Sequence, residues 1–122
     1  MLRTGLIFAL MSLSSCGSPT PTVDWRAAAT QAATDAIGSD LGNIDPKYFD
    51  VRFVGDDKSG QTCGKVMGKG VSVMGLPARF IVYIDKTAGP YVEGQRGLHT
   101  VDDERFDYLW QMDCVNEGWH PD

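Results

Sequence analysis

The segment Arg79-Phe80-Ile81-Val82-Tyr83-Ile84-Asp85 decides the fold. It is apolar nearly throughout and sits between the turn Gly75-Leu76-Pro77 and a second glycine-rich stretch. A short apolar run bounded by turn signals reads as a strand in the middle of a sheet, covered on both faces. Upstream, Thr62 to Met67 reads as another strand, and Val71 to Met74 as its resumption beyond Gly68-Lys69-Gly70. Glycines in that position mark a bulge or a sharp bend. Further upstream, Phe49, Val51 and Phe53 alternate with Asp50, Arg52 and Val54, the period of a strand. The polar turn Gly55-Asp56-Asp57-Lys58-Ser59-Gly60 joins these two strands as a hairpin.

Helices flank this strand region. Val23 to Ile37 carries Ala27, Ala28, Ala29, Ala32, Ala33 and Ala36, which favour helix. Thr22 is the expected N-cap, with Asp24 in the first turn and Gly38 as the stop. Trp25, Ala29, Ala32 and Ala36 fall on one flat face, suited to lie close against a sheet. Gly42-Asn43-Ile44-Asp45-Pro46 reads as a loop. Lys86 to Gly97 reads as a long loop or a loose edge hairpin. In the segment 101–116, Phe106, Tyr108, Trp110, Met112 and Cys114 alternate as in a strand, while Phe106, Leu109, Trp110, Asp113 and Cys114 fall at helical spacing. Thr100-x-x-Asp103 matches a capping box and acidic residues fill the first turn, which selects helix. The expected fold class is α+β: N-terminal and C-terminal helices packed on a small three- to four-stranded antiparallel sheet with one disulfide.

The beginning of the chain bears on location. Arg3 precedes the apolar run Leu6-Ile7-Phe8-Ala9-Leu10-Met11, and Leu13-Ser14-Ser15-Cys16 follows. A charge, a short apolar run and small residues form the layout of a secretory signal peptide. The run is too short for a permanent membrane span, which needs about 20 apolar residues. Its ending resembles the bacterial lipobox. The resemblance implies a signal peptide over residues 1–15 and a bacterial lipoprotein whose Cys16 is acylated, by palmitate among other chains. An ordinary signal peptide cleaved near Ser15, with Cys16 an incidental thiol, is the alternative. Gly17 rather than Asp follows the cysteine, which favours the outer membrane. Gly17-Ser18-Pro19-Thr20-Pro21-Thr22 then reads as a polar tether, so residues 16–22 are the lipidated N-terminus and residues 23–122 a single domain.

Removing the leader leaves about 107 residues, enough for one small domain with a thin stability margin. With Cys16 lipidated, Cys63 and Cys114 remain as a pair in an oxidising compartment. Their disulfide closes a loop of roughly 50 residues, for which the chain-entropy description gives about 4 kcal/mol. No C-x-x-C occurs, and neither His99 nor His120 has ligand spacing to a cysteine, so no metal and no cofactor are expected. The net charge is −5, which disfavours nucleic acid as a partner, since phosphate binding needs a basic stripe. Asp102-Asp103-Glu104 reads as the solvated start of a helix.

Motifs for catalysis are sparse. Gly64-Lys65-Val66-Met67-Gly68-Lys69-Gly70 is one residue short of a phosphate loop, and Gly70 stands where Ser or Thr must hold magnesium. None of Ser18, Ser39, Ser59 and Ser72 lies in a G-x-S-x-G elbow. His99 has no evident nucleophile and reads as a surface residue beside a helix cap. His120 lies near the end of the sequence, where order is commonly poor. Tyr83, Tyr91, Trp110 and Trp119 could form a binding face, although Trp110 and Tyr83 suit a core.

Asp45-Pro46-Lys47-Tyr48-Phe49, Cys63-Gly64-Lys65-Val66, Arg79-Phe80-Ile81-Val82 and Trp110-Gln111-Met112-Asp113-Cys114 resemble a group of small exported proteobacterial proteins with C-G-x-V and W-x-x-x-C motifs. The sequence departs from that group around Gly68-Lys69-Gly70. The resemblance implies the fold and the disulfide, and no activity. The expected role is a lipid-anchored, non-enzymatic envelope protein, a binding or assembly module with a protein partner, at the outer membrane facing the periplasm. The alternative is a periplasmic inhibitor or immunity protein against a cell-wall hydrolase or toxin, for which a protruding loop at Lys86 to Gly97 would serve. A small hydrolase using His99 is the remaining class.

Overall fold

The computed structural model describes residues 24–42 and 44–122, so the leader, Cys16 and the tether lie outside the described residues. The element order is α1 (Trp25–Leu41), β1 (Lys47–Val54), β2 (Gln61–Met67), β3 (Ala78–Tyr83), β4 (Tyr91–Val92) and α2 (Asp103–Trp110), continued by a π-helical turn over Gln111–Val115. The four strands form one antiparallel sheet in the order β1-β2-β3-β4. The fold is the expected α+β arrangement, with a helix on each face of the sheet and a Cys63–Cys114 disulfide.

Several local expectations are corrected. The cap of α1 is Asp24, whose carboxylate accepts from the amides of Arg26 and Ala27 at 3.0 and 3.4 Å. The expected cap, Thr22, lies outside the described residues. The helix runs through Gly38 to Leu41 and ends where Gly42 takes φ +76°. A helical glycine costs only about 1 kcal/mol, and Ile37 and Leu41 on either side of it pack into the core. The expected Trp25–Ala29–Ala32–Ala36 face does turn toward the sheet, with Trp25 on Phe53, but the alanines stand off from it and the fully buried positions are the neighbouring Ala33 and Ile37. Residues 71–74 do not resume a strand. Positive φ at Gly70, Met74 and Gly75 folds residues 68–76 into two tight turns, closed by the pairs Gly68–Val71 and Val73–Leu76. The helix α2 is capped by Asp102, whose carboxylate accepts from Arg105 N at 2.7 Å, so Thr100 and Asp103 form no capping box. Lys86 to Gly97, by contrast, holds the expected loose edge hairpin: its two-residue β4 pairs with β3 at the sheet edge, and Val92, opposite Phe80, is buried.

Alternation along the strands sends side chains to two cores. On the α1 face, Val66, Ala78, Phe80 and Val92 pack with Ile37, Ile44 and Val71. On the α2 face, Val54, Cys63 and Ile81 pack with Phe106, Trp110, Cys114 and Trp119. Gly64 faces α1, and a Cβ there would meet the Phe80 ring at 2.9 Å, so a larger residue does not fit.

The two helices are held differently. The disulfide spans 51 positions, with the Cα atoms 6.0 Å apart, and joins β2 to the turn after α2. In that π-helical turn Asn116 N donates to Gln111 O at 2.9 Å. Tyr83 donates to Asp113 Oδ2 at 2.5 Å, and Gln61 Nε2 donates to the Asp113 carbonyl. Burial and this carboxylate both push the Tyr83 pKa upward, so the phenol stays a donor. By contrast, α1 rests on two supports. Trp25 meets Phe53 edge-on at 5.0 Å near one end, and Ile37, with no exposed surface, plugs the core toward the other. Tyr48 adds a hydrogen bond to the Thr34 carbonyl at 2.8 Å. Between the supports the alanines are too short to fill the space, and a trough of about 300 Å³ remains.

Candidate functional site

The α2 face of the sheet is only half covered. Beyond Cys63 and Ile81 the register places Phe49 opposite Lys65 and Lys65 opposite Arg79, so three side chains form one row across β1, β2 and β3. This row floors an open groove of about 360 Å³, walled by Val73, Leu76 and Pro77 from the segment after β2 and by Glu93 after β4.

Two cations directly opposite each other destabilise a sheet unless compensated. Here three carboxylates compensate them. Arg79 Nη2 donates to Glu93 Oε2 at 2.6 Å and to Asp107 Oδ1 at 2.5 Å. Its amide donates to the other oxygen of Glu93 at 3.0 Å. The guanidinium also lies 5.2 and 5.4 Å from the ring centres of Phe106 and Trp110. Burial acts to lower its pKa, but the hydrogen bonds to Glu93 and Asp107 outweigh it and the net shift is upward. For Glu93, burial acts to raise the pKa, and the two hydrogen bonds and the positive charge of Arg79 leave it below the ordinary carboxylate value. Lys65 Nζ lies 4.0 Å from Asp50 Oδ2 and 5.7 Å from the centre of the Trp119 ring. The two cations of the floor are thus compensated and held in place.

A bulge in β1 shapes one side. The register shifts between Phe49 and Arg52, and Asp50 takes φ +53°. Trp119 Nε1 donates to the Asp50 carbonyl at 2.9 Å, and Asp122 N to Asp50 Oδ1 at 3.0 Å. Arg52 donates to the His120 carbonyl at 2.7 Å and pairs with Asp122. Residues 119–122 are therefore docked on β1, where the sequence suggested poor order around His120.

The opposite wall carries the most exposed apolar side chains beside the groove. Met74 at the turn tip is 97 % exposed and Leu76 66 %, with Phe49 at 40 % across the floor. This arm is pinned at its base. Arg96 donates to the Gly70 and Ser72 carbonyls at 2.9 and 2.6 Å, and Lys69 N to the Ile44 carbonyl at 2.8 Å. An apolar tip on a pinned arm beside a fixed groove can hold another surface without rearranging.

The other sequence candidates fall elsewhere. Trp110 and Trp119 are buried with ring centres 4.6 Å apart, and Tyr83 and Tyr91 meet edge-on at 6.2 Å in the same layer. These four residues build the core of the α2 face. His99 is half exposed, its Nδ1 3.9 Å from Asp40 Oδ1, beside the end of α1. Among the described residues, no group of three or more His, Cys, Asp and Glu side chains converges as a metal-ligating set. Among them too, no helix is long and apolar enough to cross a membrane. The Phe49–Lys65–Arg79 row and the Met74 arm escape a reading of the sequence. The row depends on the strand register, and the arm occupies residues that read as strand. Compared with models of protein families, with curated proteins and with solved structures, the chain matches none.

Proposed function

We propose that this protein is a lipid-anchored, non-enzymatic module of the bacterial envelope that binds a protein partner through the Met74 arm and the adjoining groove. Cys16 carries the lipid, and the tether holds the domain off the outer membrane on its periplasmic side. The observation that carries the binding reading is the nearly complete exposure of Met74 on an arm tied down by Arg96. Water gains by losing contact with such an apolar tip, and a pinned arm loses little conformational entropy when it docks. The compensated floor adds polar contacts without requiring a bare charge to be buried.

The same pinned turn favours a second reading, an inhibitor or immunity protein that inserts the turn into the cleft of a hydrolase or toxin. The segment expected to protrude for that purpose, Lys86 to Gly97, instead contributes β4 to the sheet. Residues 68–76 would fill the role.

The test is purification of the tagged protein from solubilised membranes, with identification of what accompanies it. A stable envelope complex is expected, and a bound hydrolase would select the second reading. Changing Met74 and Leu76 together to Asp should release the partner and leave the melting temperature unchanged, since exposed positions usually shift stability by no more than about 0.5 kcal/mol. Retention of the partner by this variant would contradict the assignment of the surface. The lipid is tested separately. Intact-mass measurement should find acyl groups on Cys16, and Cys16→Ala should release the protein from the membrane or stall its processing.

A further inference from the structure

The trough beneath α1 lies on the opposite face of the sheet from the arm. Its roof is Ala29, Ala32 and Ala36, and its floor is Phe53, Thr62 and Val82. Helix α1 bridges it between the Trp25–Phe53 contact and Ile37, so the space results from a run of alanines where larger apolar side chains would close it. Its volume, about 300 Å³, lies at the lower end of the range for small-molecule sites. Lys86 is the one charged side chain among the residues lining it. That lysine is exposed, so it lies where the trough meets solvent, and it has no carboxylate ion-pair partner among the described residues. The site thus combines an apolar channel with a single ammonium at its opening.

We propose that this trough binds a free medium-chain fatty acid, with its hydrocarbon tail under the alanine roof and its carboxylate at Lys86. The volume suits a tail of about ten carbons, taking roughly 30 Å³ for each water-sized group. One ammonium matches a monoanion. A phosphate head group is ordinarily held by several donors, and the mouth offers one charged donor. The alanine face is thereby accounted for, because small side chains let a flexible chain lie between helix and sheet. This proposal is independent of the protein-partner reading, which uses the other face.

Calorimetric titration of the full chain carrying Cys16→Ser, which removes the acylation site, tests it. The probes are hexanoate, octanoate, decanoate, tetradecanoate, decanol and a lysophosphatidate with a ten-carbon chain. Affinity should rise about three- to fourfold per methylene up to about ten carbons and then level off. A rise continuing through tetradecanoate would indicate surface adsorption and overturn the site. Ala32→Phe, at an exposed helix position, should block the trough and weaken decanoate at least tenfold with the melting temperature retained. Lys86→Glu should weaken decanoate by about two- to fivefold or more, as for a solvent-exposed ion pair, and leave decanol unchanged. Equal effects on both probes would overturn the role of Lys86. Tighter binding of the lysophosphatidate than of decanoate would overturn the assignment to a free acid. The methyl NMR signals of Ala29, Ala33 and Val82 should shift on titration, and shifts confined to Met74 and Leu76 would contradict the location.

Discussion

The two faces of the sheet are built on opposite principles. On the α2 face, large aromatic rings, a covalent bond and a paired arginine hold the helical segment to the strands. On the α1 face, a helix of small residues rests on Trp25, Ile37 and one tyrosine hydrogen bond, and leaves space beneath it. The lesson is that helix content does not measure how firmly a helix is held. The 17-residue α1 has the better intrinsic propensity, yet the eight-residue α2 and the π-helical turn that continues it carry the disulfide and the hydrogen bonds to Asp113. A binding arm benefits from a fixed face, and a space for a flexible ligand benefits from a compliant one.

Removing the disulfide should break this asymmetry with the largest effect. Cys63→Ala with Cys114→Ala should lower unfolding stability by about 2–5 kcal/mol, read from the denaturation midpoint with and without reductant. Next comes Arg79→Met, which keeps the stem over Phe106 and Trp110 but leaves Glu93 without its cation. A loss of about 1–3 kcal/mol is expected, the cost of leaving a half-buried carboxylate unmatched. The same pair sets an acid response. Folding lowers the Glu93 pKa, so its contribution is fully present above the ordinary value of 4.5 and is lost as pH falls through and below it. Wild-type stability should therefore decline below about pH 4.5, with a smaller decline in Arg79→Met. On the other face, Tyr48→Phe should cost only about 0.5–1.5 kcal/mol, the net value of one hydrogen bond. A larger loss from Tyr48→Phe than from Arg79→Met would reverse the comparison.

The strands and both helices were legible because their signals are local. Phe80 to Tyr83 is an apolar run, the alanines mark α1, and Asp102-Asp103-Glu104 marks the start of α2. The Cys63–Cys114 pairing followed from the expected export and from counting, and the structure contains it. What escaped depends on contacts distant in sequence. Residues 71–74 have strand-forming valines, but the turns at Gly70 and Met74-Gly75 override them. Ala33 and Ile37 are buried more deeply than the expected stripe, because Ile37 packs with Phe80 and Val66 while the alanines of the stripe leave a space. The Arg79–Glu93–Asp107 cluster joins three elements, and no spacing in the sequence announces it. The groove floor likewise required the register of β1, β2 and β3, which the bulge at Asp50 interrupts.

Native-state hydrogen exchange tests the asymmetry most directly. Amides of Thr30 to Ile37 in α1 should exchange through an opening of lower free energy than those of Thr62 to Val66 and Phe80 to Val82, with the disulfide intact. Protection across α1 equal to or greater than that of β2 and β3 would contradict the account, because the helix above the trough would then be held as firmly as the sheet.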